Sequence, residues 1–345
     1  MISRVAENCF WLTRYLERID TLARLLNVNQ AFQLDVELPS AQRWRPLIIV
    51  SGAEEDYLER VGEAQINDAD RVQEYLTWDA EQPSSIYSSL RWARENARTV
   101  RETMSVDMWE AINALWLWMD GSSSRRLYQR ERSAFYAHLS QQCMLIHGIC
   151  YSTMLHDEPF VFMKLGRAAE RVGQTARILD VQHHSLGDSP GIRQTATDTA
   201  LWLAILRSCS GVEPFFERSS SDLSGPAVAA FLIFEPTFPR SIVHNLDRAR
   251  GLLARLRADD PTGLDRPSWE ILESLRAELA AMDMTAVLDR GLHEVLTWIV
   301  QASSELCDAI HDDYLDPPVD TLRQVVRSGG GPSQIQSATG GHAGT

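Results

Sequence analysis

The residues best equipped for chemistry lie along one helical line: Arg14, Glu17, Thr21 and Arg24, at steps of three, four and three. Such steps keep side chains on one face of an α-helix. The line recurs as Arg167, Glu170, Gln174 and Arg177, and in each copy an arginine follows the glutamate, Arg18 and Arg171. A guanidinium three residues from a carboxylate can form a charge-assisted, forked pair. Two uses follow. The pairs can lock two helices together. Alternatively, the planar cations can clamp a carboxylate or phosphate, with Glu7, Glu17 or Glu170 as general base. A solvated surface face is a third reading.

Positioning these side chains falls to a pair of helices. The first runs from Met1 to about Val28. Its Ile2, Val5, Cys9, Leu12, Leu16, Ile19, Ala23 and Leu26 alternate by three and four, the period of a buried stripe. A second stripe, Arg4, Glu7, Trp11, Arg14 and Arg18, lies roughly opposite. A helix apolar on most sides belongs at the centre of a bundle, so its charges are partly buried.

Aligned with residues 165–181, the segment Leu12–Val28 agrees at eight of seventeen positions. The order repeats further on. Trp44 matches Trp202 at a spacing of 158, Ser85 matches Ser241 at 156, Trp109 matches Trp269 at 160 and Cys150 matches Cys307 at 157. Together these predict an all-α, two-lobed helical bundle, a tandem duplication of a roughly 155-residue unit about a pseudo-two-fold. The halves are residues 1–157 and 158–316. Residues 317–345, ending in a Gly/Ser/Thr-rich stretch, read as a disordered tail. Strand patterns are nearly absent apart from the short apolar run Leu47–Val50. Gly121–Arg126 reads as a polar loop, and His183-His184 as a loop just past a helix end.

Other basic groups sit elsewhere. Arg94, Asn96 and Arg98 belong to a later helix. Arg240, Ser241 and His244 mark the start of its counterpart, where free amides make an anion site. Composition removes several chemistries. Lys164 is the only lysine and follows no glycine-rich loop, which disfavours lysine-based ATP cleavage and Schiff-base catalysis. Five scattered cysteines without Cys-x-x-Cys read as buried thiols, and no histidine spacing fits a metal, so neither metal nor cofactor is expected. A net charge of −14 disfavours nucleic acid and anionic membrane as partners. With no signal peptide and no spanning run, the expected location is the cytoplasm.

The chain resembles the alpha-E domain family of bacterial proteins. The matching pieces are Ser3-Arg4-Val5-Ala6-Glu7-Asn8 with Trp11, Arg14-Tyr15-Leu16-Glu17-Arg18, Ala93-Arg94-Glu95-Asn96-Ala97-Arg98, Trp109-Glu110 with Asn113, Glu170-Arg171, Ala176-Arg177-Ile178-Leu179-Asp180 and Pro239-Arg240-Ser241. Ile19-Asp20 departs from the Ala-Glu common in the family. The resemblance implies an all-helical protein encoded beside, or fused to, circularly permuted ATP-grasp proteins, often near transglutaminase-like proteases. The expected role is therefore a partner of an ATP-grasp amide (peptide) ligase. It would bind the ligase, or a carboxylate-bearing peptide, through the Arg/Glu cluster. The alternatives are an enzyme using Glu7 or Glu17 as acid/base beside an arginine clamp, and a structural interaction module without a site.

Overall fold

The computed structural model describes residues 3–35, 43–186, 196–218, 223–258 and 266–315. Among them are sixteen α-helices and no strand, as the hydrophobic periods predict. The first eight are α1 (Ser3–Asp35), α2 (Arg45–Val50), α3 (Glu54–Arg60), α4 (Ala69–Trp78), α5 (Ile86–Thr99), α6 (Val106–Asp120), α7 (Ser122–Arg130) and α8 (Arg132–Thr153). The second eight are α9 (Glu158–Leu186), α10 (Ala196–Ser208), α11 (Val212–Arg218), α12 (Gly225–Phe234), α13 (Ile242–Ala258), α14 (Pro267–Ala280), α15 (Met284–Arg290) and α16 (Leu292–Ile310).

The apolar stripe of α1 is fully buried at Leu12, Leu16, Ile19, Ala23 and Leu26, and Phe10, Leu22 and Leu25 on its other sides are buried too. A helix with so little exposed surface has to be enclosed. It packs against α5, α8 and α9, while α9 packs against α1, α13 and α16. The two central helices come close at Gly166, where a Cβ would come within 2.2 Å of the Phe10 carbonyl oxygen. Only glycine fits there. One turn away, Thr13 Oγ1 donates across the contact to the Met163 carbonyl at 2.5 Å.

The same local devices frame each central helix. Ser85 caps α5 by accepting from the Ser88 amide while its hydroxyl donates to the Asp79 carbonyl. Ser241 caps α13 by accepting from His244 and donating to Glu235. At the corner after α2, Gly52 N donates to Ile49 O and Ala53 N to Ile48 O. After α10, Ser210 N donates to Arg207 O and Gly211 N to Leu206 O. Gly52 (φ 69°) and Ser210 (φ 52°) both turn through the left-handed region.

Four local readings change. The helix starting at residue 3 extends beyond Val28 to Asp35. Leu47–Val50 is helical, in a turn opened by Pro46, whose fixed φ suits a first helical turn. Ser122 opens α7, so most of the polar stretch from Gly121 is helical. No Gly or Pro interrupts residues 182–186, and α9 continues to Leu186, placing His183 and His184 inside it. The tail at 317–345 lies outside the described residues.

Candidate functional site

The glutamates of the two central helices are exchanged. Glu17 on α1 accepts from Arg167 Nε at 2.9 Å and Arg171 Nε at 2.7 Å, both on α9. Glu170 on α9 accepts from Arg14 Nε and Arg18 Nε on α1, each at 2.9 Å. The pairs therefore run between helices. Neither glutamate takes the arginine three residues before it on its own helix, the local pairing that spacing alone would give. Glu17 is 0% exposed and Glu170 is 5% exposed.

Each cluster has a further shell. On the Glu17 side, Arg240 Nη1 reaches Glu17 at 3.0 Å and its Nη2 bonds Asp20. Arg24 Nε also donates to Asp20, at 2.9 Å, and its Nη1 donates to the Ser210 hydroxyl at 2.6 Å. His147 lies against this cluster with Nε2 3.6 Å from Glu17. On the Glu170 side, Gln174 Nε2 donates to Glu170 at 2.9 Å.

Burial by itself would raise both carboxyls. Arg171, Arg240 and Arg167 outweigh it at Glu17, and Arg18 and Arg14 do so at Glu170, so both sit well below the usual carboxylate range. They are fixed anions at neutral pH. Burial, reinforced by Arg167, holds His147 well below its ordinary range and therefore neutral. Burial lowers Arg171 to about 10, with Glu17 opposing the fall. Burial also pushes the Cys9 and Cys209 thiols up to about 12, which leaves them poor nucleophiles.

A cavity of about 440 Å³ opens beside Glu170. Arg14, Arg18 and Thr21 line it from α1, Glu170, Gln174 and Arg177 from α9, and Ser303, Ser304 and Cys307 from α16. The corners at residues 50–52 and 82–84 complete the wall. Three guanidinium groups thus meet one carboxylate, in a chain of net charge −14. Arg177 makes no hydrogen bond or ion pair with any described residue. Burial, with Arg18 and Arg14 nearby, lowers its pKa, and Glu170 only partly offsets them. The Thr21 hydroxyl, in a residue 2% exposed, also has no hydrogen-bond partner among the described residues.

The other predicted residues fall outside this centre. Arg4 is exposed, and Glu7 is half-buried and joins none of these pairs. Arg94 donates to Asn113 and Glu95, and Arg98 to Glu95, forming a separate group on α5 with Asn96 half-buried beside it. Ser241 and His244 are occupied in capping α13, where His244 Nδ1 also meets the Pro236 carbonyl at 2.9 Å. Lys164 lies over the Tyr151 and Phe160 rings, lowered to about 8 by burial and then by Arg248 and Arg167. Among the described residues no group of three or more side chains is placed to hold a metal ion, and no helix is long and apolar enough to cross a membrane. Sequence reasoning missed Gly52, Ser84, Gly173, Ser303 and Ser304. Small residues carry no chemical signature, and the available signal was the set of positions where the matched segments differ.

Fold and site together define an all-helical protein whose two central helices exchange Arg–Glu pairs. The chain belongs to the Alpha-E family, described as a predicted alpha-helical domain with a conserved ER motif, whose model matches residues 1–315. It is similar to an uncharacterised protein of Mycobacterium bovis, 25% identical over 327 residues, which cover 85% of this chain and 36% of that protein. Two uncharacterised proteins of Mycobacterium tuberculosis are 25% and 24% identical over the same length. The chain thus spans 36% of the length of the curated relatives it matches. No solved structure matches it.

Proposed function

We propose that the chain is two copies of one helical unit, residues 1–157 and 158–316, and that the pair serves as a binding partner in an ATP-grasp amide-ligase system. It holds the ligase, or a carboxylate-bearing peptide that the ligase extends, through the Arg/Glu cluster. The observation that carries the reading is the cationic cavity beside Glu170, where Arg177 makes no hydrogen bond or ion pair with any described residue. Cations with donors to spare, facing an accessible cavity, are a means of binding anions. The depressed carboxyls favour binding over proton transfer, because a carboxylate held so firmly ionised is a poor base near neutral pH. The ligase follows from the family resemblance. The relatives also carry more than half of their length outside the match, as a fused partner would require.

The test is co-purification with the neighbouring ATP-grasp protein, followed by ATP turnover with a peptide acceptor in the presence and absence of this chain. A complex and a rise in turnover are expected. Unchanged turnover without a complex would sink the reading.

A further inference from the structure

The Glu17 and Glu170 sides differ at several matched positions, and four of these differences put a smaller side chain on the Glu170 side. Asp20 on α1 stands where α9 has Gly173, since Glu17 matches Glu170 and Arg24 matches Arg177. Arg240, immediately before the α13 cap, stands where Ser84 precedes the α5 cap. Ser210 and Gly52 share one backbone corner, with the same pattern of amide bonds. His147 on α8 and Ser304 on α16 lie three residues before the matched Cys150 and Cys307.

Arg24 and Arg177 show the consequence. Arg24 holds the Asp20 carboxylate at 2.9 Å and the Ser210 hydroxyl at 2.6 Å. At the matched places Arg177 has Gly173, whose Cβ would lie 2.9 Å from its Nη1, and Gly52, around which space is open, so neither supplies a side chain to the guanidinium. Asp, Arg and His have become Gly, Ser and Ser, and the volume they would fill is part of the cavity of about 440 Å³.

We infer that this cavity is a binding site for a carboxylate on an aliphatic stem, which enters as the counterpart of the missing Asp20 and pairs with Arg177. The inference deepens the binding reading above and rests on the correspondence between the two halves. Carboxylate is the chemistry this guanidinium position already holds on the other side, in the Arg24–Asp20 pair. The Thr21 hydroxyl, buried without a partner at the same wall, supplies a second donor. Arg14 engages Glu170 through Nε and also lines the cavity. Leu25 and Val300 give an apolar wall for the stem. The volume suits more than a bare carboxylate, falling within the range of roughly 300–1,000 Å³ usual for ligand pockets. An acidic side chain or the C-terminal residue of a peptide meets this description, as does a free dicarboxylate.

Titration of the purified full chain with glutarate, glycyl-glutamate and inorganic phosphate, each at constant ionic strength and followed by calorimetry and melting temperature, tests the assignment. Saturable binding of glutarate or glycyl-glutamate, stronger than that of phosphate, is expected, and whichever of the two binds tighter separates the free acid from the peptide. Arg177→Gln weakens it about tenfold or more, through loss of a charge-assisted forked bond. Gly173→Asp installs the missing acid. Its Cβ would lie 2.9 Å from Arg177 Nη1, the movable tip of the residue it is meant to bind. Gly173→Asp therefore abolishes carboxylate binding and raises the melting temperature. No saturable carboxylate binding, tighter binding of phosphate, or binding unchanged in Arg177→Gln would each overturn the inference. Should Gly173→Asp not fold, the proposed pairing is also overturned, and Arg177→Gln still reports on the carboxylate independently. A chain that captures the ligase but no carboxylate would refute this inference alone. One that binds carboxylate but neither captures the ligase nor changes its turnover would refute the ligase reading alone.

Discussion

The Glu17 and Glu170 sides of the core begin from the same Arg-x-x-Glu-Arg pattern and end differently. Around Glu17, three arginines converge on a carboxylate that is 0% exposed, and Arg240 bridges it to Asp20. Around Glu170, two arginines and Gln174 hold the carboxylate, and the third cation, Arg177, faces a cavity. A buried network of exchanged charges fixes how two helices meet, because each misplacement would leave a charge in a low-dielectric interior. Such a closed network leaves its carboxylate no exposed surface. On the Glu170 side, Gly173, Ser84 and Ser304 leave room beside the cations, and a cavity opens there. The comparison sets one Arg–Glu pattern closed around Glu17 against the same pattern open to a cavity at Glu170.

The largest expected effect tests the clasp. Glu17→Gln leaves Arg167, Arg171 and Arg240 facing one another without their shared counter-charge. A loss of about 3–5 kcal/mol is expected for breaking a buried ion network from one side, measured by urea unfolding. A near-neutral result would show that these charges do not clasp the helices.

Glu170→Gln should cost less, about 1–3 kcal/mol, because Arg14 and Arg18 line a cavity that can admit water. Equal losses for the two glutamines would break the distinction between closed and open sides.

Acid sharpens it further. His147 is buried with a pKa held well below its ordinary 6.5, so the unfolded chain takes up a proton that the folded chain refuses. Its contribution is present above pH 6.5 and is lost as pH falls below it. The two glutamates are held below their ordinary 4.5, so their contribution is present above pH 4.5 and is lost below it. Unfolding free energy should therefore decline in two stages on acidification. His147→Gln should shrink the upper stage to what His138, also lowered by burial, contributes, and leave the lower one. Persistence of the full upper stage in that variant would assign it elsewhere.

The smallest effect is the control. Arg94 bonds only Glu95 and Asn113 among the described residues, outside both clusters, so Arg94→Ala should shift stability by no more than about 1 kcal/mol. It should leave carboxylate binding unchanged in the same titration.

Much of this was legible in the sequence because it is local. The three- and four-residue alternation of Leu12, Leu16, Ile19, Ala23 and Leu26 makes a buried helix in any surroundings. The circumference of α1, apolar on most sides, required a central position, and the repeated Arg/Glu spacing required paired charges near that centre. Tertiary structure alone decided which carboxylate each arginine holds. Spacing offered Arg14 to Glu17, yet the contact between α1 and α9 gave Arg14 to Glu170, since a partner across a buried interface also relieves the desolvation of both charges. It alone decided where the cavity lies as well. A cavity is made by side chains that are absent, at Gly52, Gly173, Ser84 and Ser304, from four segments far apart in the chain. An absent side chain has no period and no charge, and becomes visible only when the neighbours it would have touched are in place.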